Sequence, residues 1–249
     1  MTATTQAGVS VRGKEATDLA VPAFPGRTTT AVCMIVAPVA LAILCLLGTS
    51  IYKFHGRDFL SAMAAHHIRT QTFLNAVPIA IFMLMLAVIG LASMAAPRQP
   101  RLARFGGAAT LLGLCGPIFF VAIEFAGYQL SGPKYLSAGA YMYDQANMVP
   151  RISLNICGLG LIVGFIALAV ATYRAGLLAK VPAILFGFTA LLPIGFIGSV
   201  LPVSAVGFVA CAVALVPLGR GLLARRPMPS QQVTPNLTTD SASTATQTG

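Results

Sequence analysis

Between Ala31 and Ile51 the chain runs through 21 residues without one charged side chain, and comparable apolar runs follow at 74–96, 105–128 and 152–173. Twenty residues wound as an α-helix rise about 30 Å, the thickness of a bilayer's hydrocarbon core. A helix is the form such a run takes in lipid, because its backbone N–H and C=O groups are then bonded within the segment. Composition agrees with that reading. Of the 249 residues 57% are hydrophobic and 9% charged, whereas soluble chains carry about 25% charged residues to cover their surface. The expectation is an all-α membrane protein, with the first run kept as a helix because it is longer than the apolar core of a signal peptide.

The last apolar stretch fixes the number of crossings. From Val181 to Gly219 there are 39 residues without Asp, Glu, Lys, Arg or His, and as one straight helix they would measure about 58 Å. Turn formers gather at Gly198, Ser199, Pro202 and Ser204, which predicts two spans, 181–198 and 203–219. A re-entrant hairpin that dips in without crossing is the alternative.

Charge separates the two. With six spans one side collects Arg12, Lys14 and Arg27, the turn residues Arg98, Arg101 and Arg104, then Arg174 and Lys180, and finally Arg220, Arg225 and Arg226. The other side keeps only Lys53, Arg57, Arg69, Lys134 and Arg151. The positive-inside rule then places both termini in the cytoplasm of a cell membrane, while five spans would erase the asymmetry. Six transmembrane helices over 31–219 are expected, between two disordered cytoplasmic tails at 1–30 and 220–249.

The net charge of +10 does not point to nucleic acid. The basic residues lie scattered over short loops and tails, without the dense face that tracks phosphates; anionic headgroups at the cytoplasmic surface are their expected partners. The five cysteines all lie inside apolar runs and form no C-x-x-C pair. They are expected to be free thiols at helix contacts, with no metal and no cofactor.

Both outer loops carry detail. In 52–73, Asp58 is placed to cap a helix beginning at Phe59, and Leu60, Met63, Ala64, His67, Ile68 and Leu74 recur at helical spacing. That pattern predicts an outer interfacial helix between spans one and two. His66 and His67 are neighbours and diverge by about 100° on a helix, unlike the i, i+4 pairs that hold zinc. Loop 129–151 carries Tyr135, Tyr141 and Tyr143, with Tyr128 just before it. Such residues anchor proteins at a membrane boundary; a stacking site for a ring-bearing ligand is the alternative.

Glu124 is the one acidic residue within a span, and ionisable residues in a membrane are functional candidates by default. It stands eight residues from the centre of its run, about 12 Å from the midplane, near the outer interface. The plain reading is a carboxylate that reaches for headgroups or pairs with a base. The sharper one makes it a proton-transfer, catalytic or substrate-binding group, with His67 and Arg69 assisting. Asn75, Arg151 and Asn155 share its level, so an outward polar cluster of Asn75, Glu124, Arg151 and Asn155 is a candidate binding site. Gly158, Gly160 and Gly164 include a GxxxG on span four, which lets two backbones approach closely. Packing within the bundle is expected there, with a homodimer or another protein as the alternative use. No P-loop, dinucleotide fingerprint or Gly-x-Ser-x-Gly is present.

In layout the chain resembles a broad group of uncharacterised bacterial six-span membrane proteins. The features that carry the likeness are the amphipathic outer segment after span one, the basic Pro97–Arg104 turn after span two, and Tyr173-Arg174-Ala175-Gly176-Leu177-Leu178-Ala179-Lys180 before span five. Where that group commonly has Leu-Pro after Arg-x-Gly, this chain has Ala179 and a later Pro182. The resemblance implies a bacterial cytoplasmic membrane and supplies no site residues. Three functions stay open: an accessory, immunity or assembly factor working through helix contacts; a small transporter or permease subunit for apolar or neutral cargo; and an intramembrane enzyme on a lipid or isoprenoid using Glu124.

Overall fold

A computed structural model describes residues 24–49, 56–145, 148–197 and 201–224, with side chains apart from those of 142–154, 196 and 197. Among these residues the fold is all helical. The helices are α1 (Arg27–Gly48), α2 (Gly56–Ala65), α3 (His67–Ala95), α4 (Pro100–Gln129), α5 (Leu136–Gln145), α6 (Met148–Arg174), α7 (Lys180–Phe188), α8 (Leu192–Ile197) and α9 (Leu201–Ala224). Five segments, α1, α3, α4, residues 155–174 of α6, and α9, are long and apolar enough to cross a membrane.

The long helices close into a ring. α1 packs on α3 and α9, α3 on α4, and α4 on α6; α6 meets α7 and α8, which return to α9. The interior is filled by large side chains without solvent exposure, among them Met34, Leu84, Leu91, Phe165 and Phe186. Phe165 and Phe186 meet edge to face, with ring centroids 5.5 Å apart, the arrangement that aromatic quadrupoles favour.

Close packing depends on small residues. A Cβ on Gly113 would lie 2.5 Å from the Leu161 nitrogen, and one on Gly106 2.8 Å from that of Leu168. From the other side a Cβ on Gly164 would overlap the backbone of Thr110. α4 and α6 therefore touch backbone to backbone, as small residues allow in lipid, where dispersion contacts replace the hydrophobic drive.

Two hydrogen bonds tie one end of the ring. Arg98 donates from Nη1 to the Ala175 carbonyl at 2.6 Å, and Arg27 donates from Nε to the Leu222 carbonyl at 2.6 Å. The basic turn after α3 and the turn after α6 thus meet at one end, and with Thr30 of α1 set against Gly90 of α3 that end is shared with the start of α1 and the finish of α9. At the opposite end Gly48 faces Leu201 and Phe73. Between Ala175 and Leu201 the chain therefore travels from one end of the bundle to the other, along α7 and α8.

That passage is a broken helix. A 3-10 turn at Thr189–Leu191 separates α7 from α8. The cause is local: Pro193 has no N–H to give to the Thr189 carbonyl four residues back, and the backbone tightens so that Leu192 N–H supplies it instead. α6 stops for an equally local reason. Gly176 takes φ +72°, Gly176 N–H bonds the Tyr173 carbonyl, and Leu177 N–H bonds the Thr172 carbonyl, the paired bonds of a Schellman cap.

Several expected boundaries move. The turn expected at 198–204 is shorter, because Leu201–Ser204 already belongs to α9; Pro202 fits its first turn, where no N–H is needed. Residues 220–224, expected to open the second tail, are helical: α9 continues to Ala224, with Leu222 buried and accepting the Arg27 bond; residues 225–249 lie outside the described residues. Residues 27–30, expected to belong to the first tail, are helical, with α1 starting at Arg27 and Thr30 fitted against Gly90 of α3; residues 1–23 lie outside the described residues.

The single amphipathic stripe over 59–74 is divided. His66, at φ −106° and ψ 43°, breaks the helix, so Leu60 and Met63 are buried on α2 while Ile68 on α3 is 79% exposed. Asp58 sits inside the first turn of α2 and does not cap it. The ends expected for the outer loop 129–151 enclose a helix, α5, which packs on α2 and α4.

Candidate functional site

Glu124 lies on the face of α4 that also carries Val121, Gly127 and Pro117, all buried. Its own exposure is 0%. A carboxyl group without solvent access is enclosed by the protein itself, the setting in which burial of an ionisable group calls for a role. The reading in which it reaches outward to headgroups is not what the structure has.

Two short helices cover this end. α2 and α5 pack on each other, and both rest on α4. The fit is tight at one crossing: a Cβ on Gly139 of α5 would lie 2.9 Å from Leu130 Cβ and 3.3 Å from Leu60 of α2. Thr70, buried in the first turn of α3, donates from Oγ1 to the Met63 carbonyl at 3.1 Å. The bond holds the last turn of α2 against α3.

One aromatic contact leads from the surface toward Glu124. The His67 ring lies 5.9 Å from the Tyr128 ring, tilted by 57°. His67 is exposed and Tyr128 half-buried. Tyr128 stands four residues beyond Glu124, on the same face of α4 one turn higher. Outside the cap, Lys134 Nζ sits over the Tyr135 ring at 5.3 Å, a cation–π contact, and Tyr141 is exposed.

The other sequence candidates are dispersed. Asn75 and Asn155 are exposed while Glu124 is sealed inside; the Arg151 side chain lies outside the described residues. Arg69 is exposed, as is His66. Tyr143 also falls among the side chains that are not described. Gly158, Gly160 and Gly164 are on α6, and the Gly160–Gly164 face is filled by Ala109, Thr110 and Gly113 of α4, so a second copy would need another face.

All five cysteines are free thiols. Among the described residues no three His, Cys, Asp or Glu side chains gather in a way that could hold a metal.

Two partners escaped the sequence reading. Gly106, Thr110 and Gly113 repeat at helical spacing on α4 and mirror the GxxxG of α6, a signal available in the residues themselves. The approach of His67 to Tyr128 spans 61 positions and had no such signal. No protein family, no curated protein and no solved structure matches the chain.

Proposed function

We propose that the chain is a six-pass protein of a bacterial cytoplasmic membrane, with both termini in the cytoplasm, that serves as an accessory or assembly factor through its outer end. Support for the sixth crossing comes from the passage along α7 and α8. The 18 residues of Lys180–Ile197 rise about 27 Å as helix, close to the hydrocarbon thickness of about 30 Å. The end that joins Arg27 to Leu222 and Arg98 to Ala175 is the end the positive-inside rule assigns to the cytoplasm. α2 and α5 then lie at the outer interface, where a short amphipathic helix such as α2, with Arg57 and Asp58 exposed, is stable.

The observation that carries the functional reading is the filled interior beneath a closed cap. Met34, Leu84, Leu91, Phe165 and Phe186 are fully buried and occupy space between the helices that a transport path would need. A protein built this way presents surfaces and conducts nothing. Its working surface is the α2–α5 cap, with Glu124 as the buried group that fixes how the cap sits.

Two measurements test this. In sealed vesicles loaded with a pH-sensitive dye, an imposed proton gradient decays no faster with the protein than without it. A photo-crosslinking residue at Tyr141, used in living membranes, yields a discrete adduct with another membrane protein. Proton flux that disappears in Glu124→Gln, or no adduct at any exposed cap position, contradicts the proposal.

A second reading, an intramembrane enzyme acting on a lipid or isoprenoid, is favoured by the His67–Tyr128 contact one turn above Glu124. It requires the cap to open so that substrate reaches the carboxyl group, and it predicts that Glu124→Gln abolishes turnover while the fold persists.

A further inference from the structure

Between α6 and α7–α8 the bundle leaves a groove of about 600 Å³. Its walls are apolar. Ile166 and Val170 stand on one side and Ile184, Phe188 and Ile194 on the other. Small residues deepen it: Ala169, Ala183 and Gly187 lie along the floor. Added bulk at Gly187 has room, since a Cβ there would meet only Ala169 Cβ, at 3.8 Å.

The groove is chemically polarised. Among its lining residues the single charge is Lys180, which lies with Tyr173 at one end. That end adjoins the Schellman cap of α6, where Arg98 reaches Ala175. From Lys180 to Ile194 the wall rises about 21 Å, enough to pass through one leaflet, which is about 15 Å of hydrocarbon. A slot of leaflet depth with its one cation at the headgroup level has the dimensions and charge of a bound lipid.

We infer that the groove between α6 and α7–α8 holds an acyl chain of one anionic phospholipid of the inner leaflet, with the headgroup phosphate on Lys180. The placement in the inner leaflet rests on the orientation proposed above; the groove and its cation do not. The lipid fills the groove that runs along the α6–α7–α8 contact, and so supports α7–α8 at the 3-10 break.

The absence of Trp from the chain makes the test direct. Ile184→Trp places one fluorophore in the groove, and Val213→Trp places one on the exposed face of α9 as a reference. Each is reconstituted in phosphatidylcholine vesicles containing an equal fraction of brominated phosphatidylglycerol or brominated phosphatidylcholine. At position 184 the anionic lipid quenches preferentially, by about fivefold in apparent affinity, the contribution of one lysine beside anionic headgroups. At position 213 the two lipids quench alike. Lys180→Gln removes the preference, and Gly187→Leu weakens quenching by both lipids.

Equal quenching by the two lipids at 184, or a preference that survives Lys180→Gln, overturns the inference. A preference equal at 184 and 213 does so too, since it would report a charged annulus without a site. A reporter fused after Gly249 reads orientation separately. If it lies outside while the preference at 184 holds, the leaflet assignment falls and the lipid site stands.

Discussion

Gly164 of α6 lies against the backbone of Thr110 of α4 so closely that a Cβ on the glycine would overlap the threonine nitrogen. The side chain cannot be accommodated by a rotamer change, because the obstacle is main chain.

Gly164→Leu is therefore expected to separate the two helices and cost at least about 3 kcal/mol, the upper part of the range for overpacking. Gly221, on α9, has nothing within 4 Å of an added Cβ, and Gly221→Ala is expected to stabilise by about 0.5 kcal/mol through helix propensity. Reversible unfolding in mixed micelles compares the two. Equal stability of Gly164→Leu and the parent protein would show that this helix contact is not as close as described.

The turn between α6 and α7 supplies a second case. Gly176 adopts φ +72°, which costs an L-residue about 1 kcal/mol, and its neighbour Ala175 accepts the Arg98 bond. Gly176→Ala is expected to lose about 1 kcal/mol. Arg98→Gln is expected to lose about 2 kcal/mol, the worth of a hydrogen bond from a charged donor. If the Gly176→Ala protein melts where the parent does, the left-handed cap is not formed in solution.

How far these features could be read from residues alone depends on whether their cause is local. The spans were legible because an uncharged run of 20 residues has one stable form in lipid. Their ends were less so: α3 begins at His67 and not at 74, since a helix continues into the interface as long as its backbone bonds are met. Gly176 and Pro193 act on their own turn, and their effects follow from chemistry visible at those positions. α5 was missed because a short, weakly apolar segment is held by α2 and α4, and tertiary contact outweighs propensity at that length. Glu124 was found by its charge, but its burial was not, because sequence gives depth along a helix and no azimuth. The exposure of Asn75 and Asn155 was hidden for the same reason.

Thr70 gives access to the cap. Its Oγ1–H bonds the Met63 carbonyl, and Thr70→Val keeps the shape while removing a bond worth about 1 kcal/mol. Amides in the last turn of α2 are expected to exchange with deuterium about fivefold faster, while those in the middle of α9 are unchanged. Uniform acceleration across all helices would mean that the bond supports the whole bundle and not the cap.

At Glu124 the expected outcome separates size from charge. Glu124→Gln preserves shape and polarity and is expected to fold with stability within about 1 kcal/mol of the parent. Glu124→Lys puts a longer cation in a site with no solvent access and is expected to cost about 3 kcal/mol or more. Membrane yield and unfolding midpoint report both. A Glu124→Lys protein as stable as the parent would place the side chain at an open surface.

The depths assigned to every site follow from six crossings with both ends inside, and that claim has one direct measurement. Full-length fusions carrying green fluorescent protein or alkaline phosphatase after Gly249 are compared in intact bacterial cells. Bright fluorescence with inactive phosphatase is the result expected. Active phosphatase with dark fluorescent protein would put the carboxyl terminus outside and contradict six crossings with both ends inside, either because the number of crossings is odd or because the whole bundle is inverted.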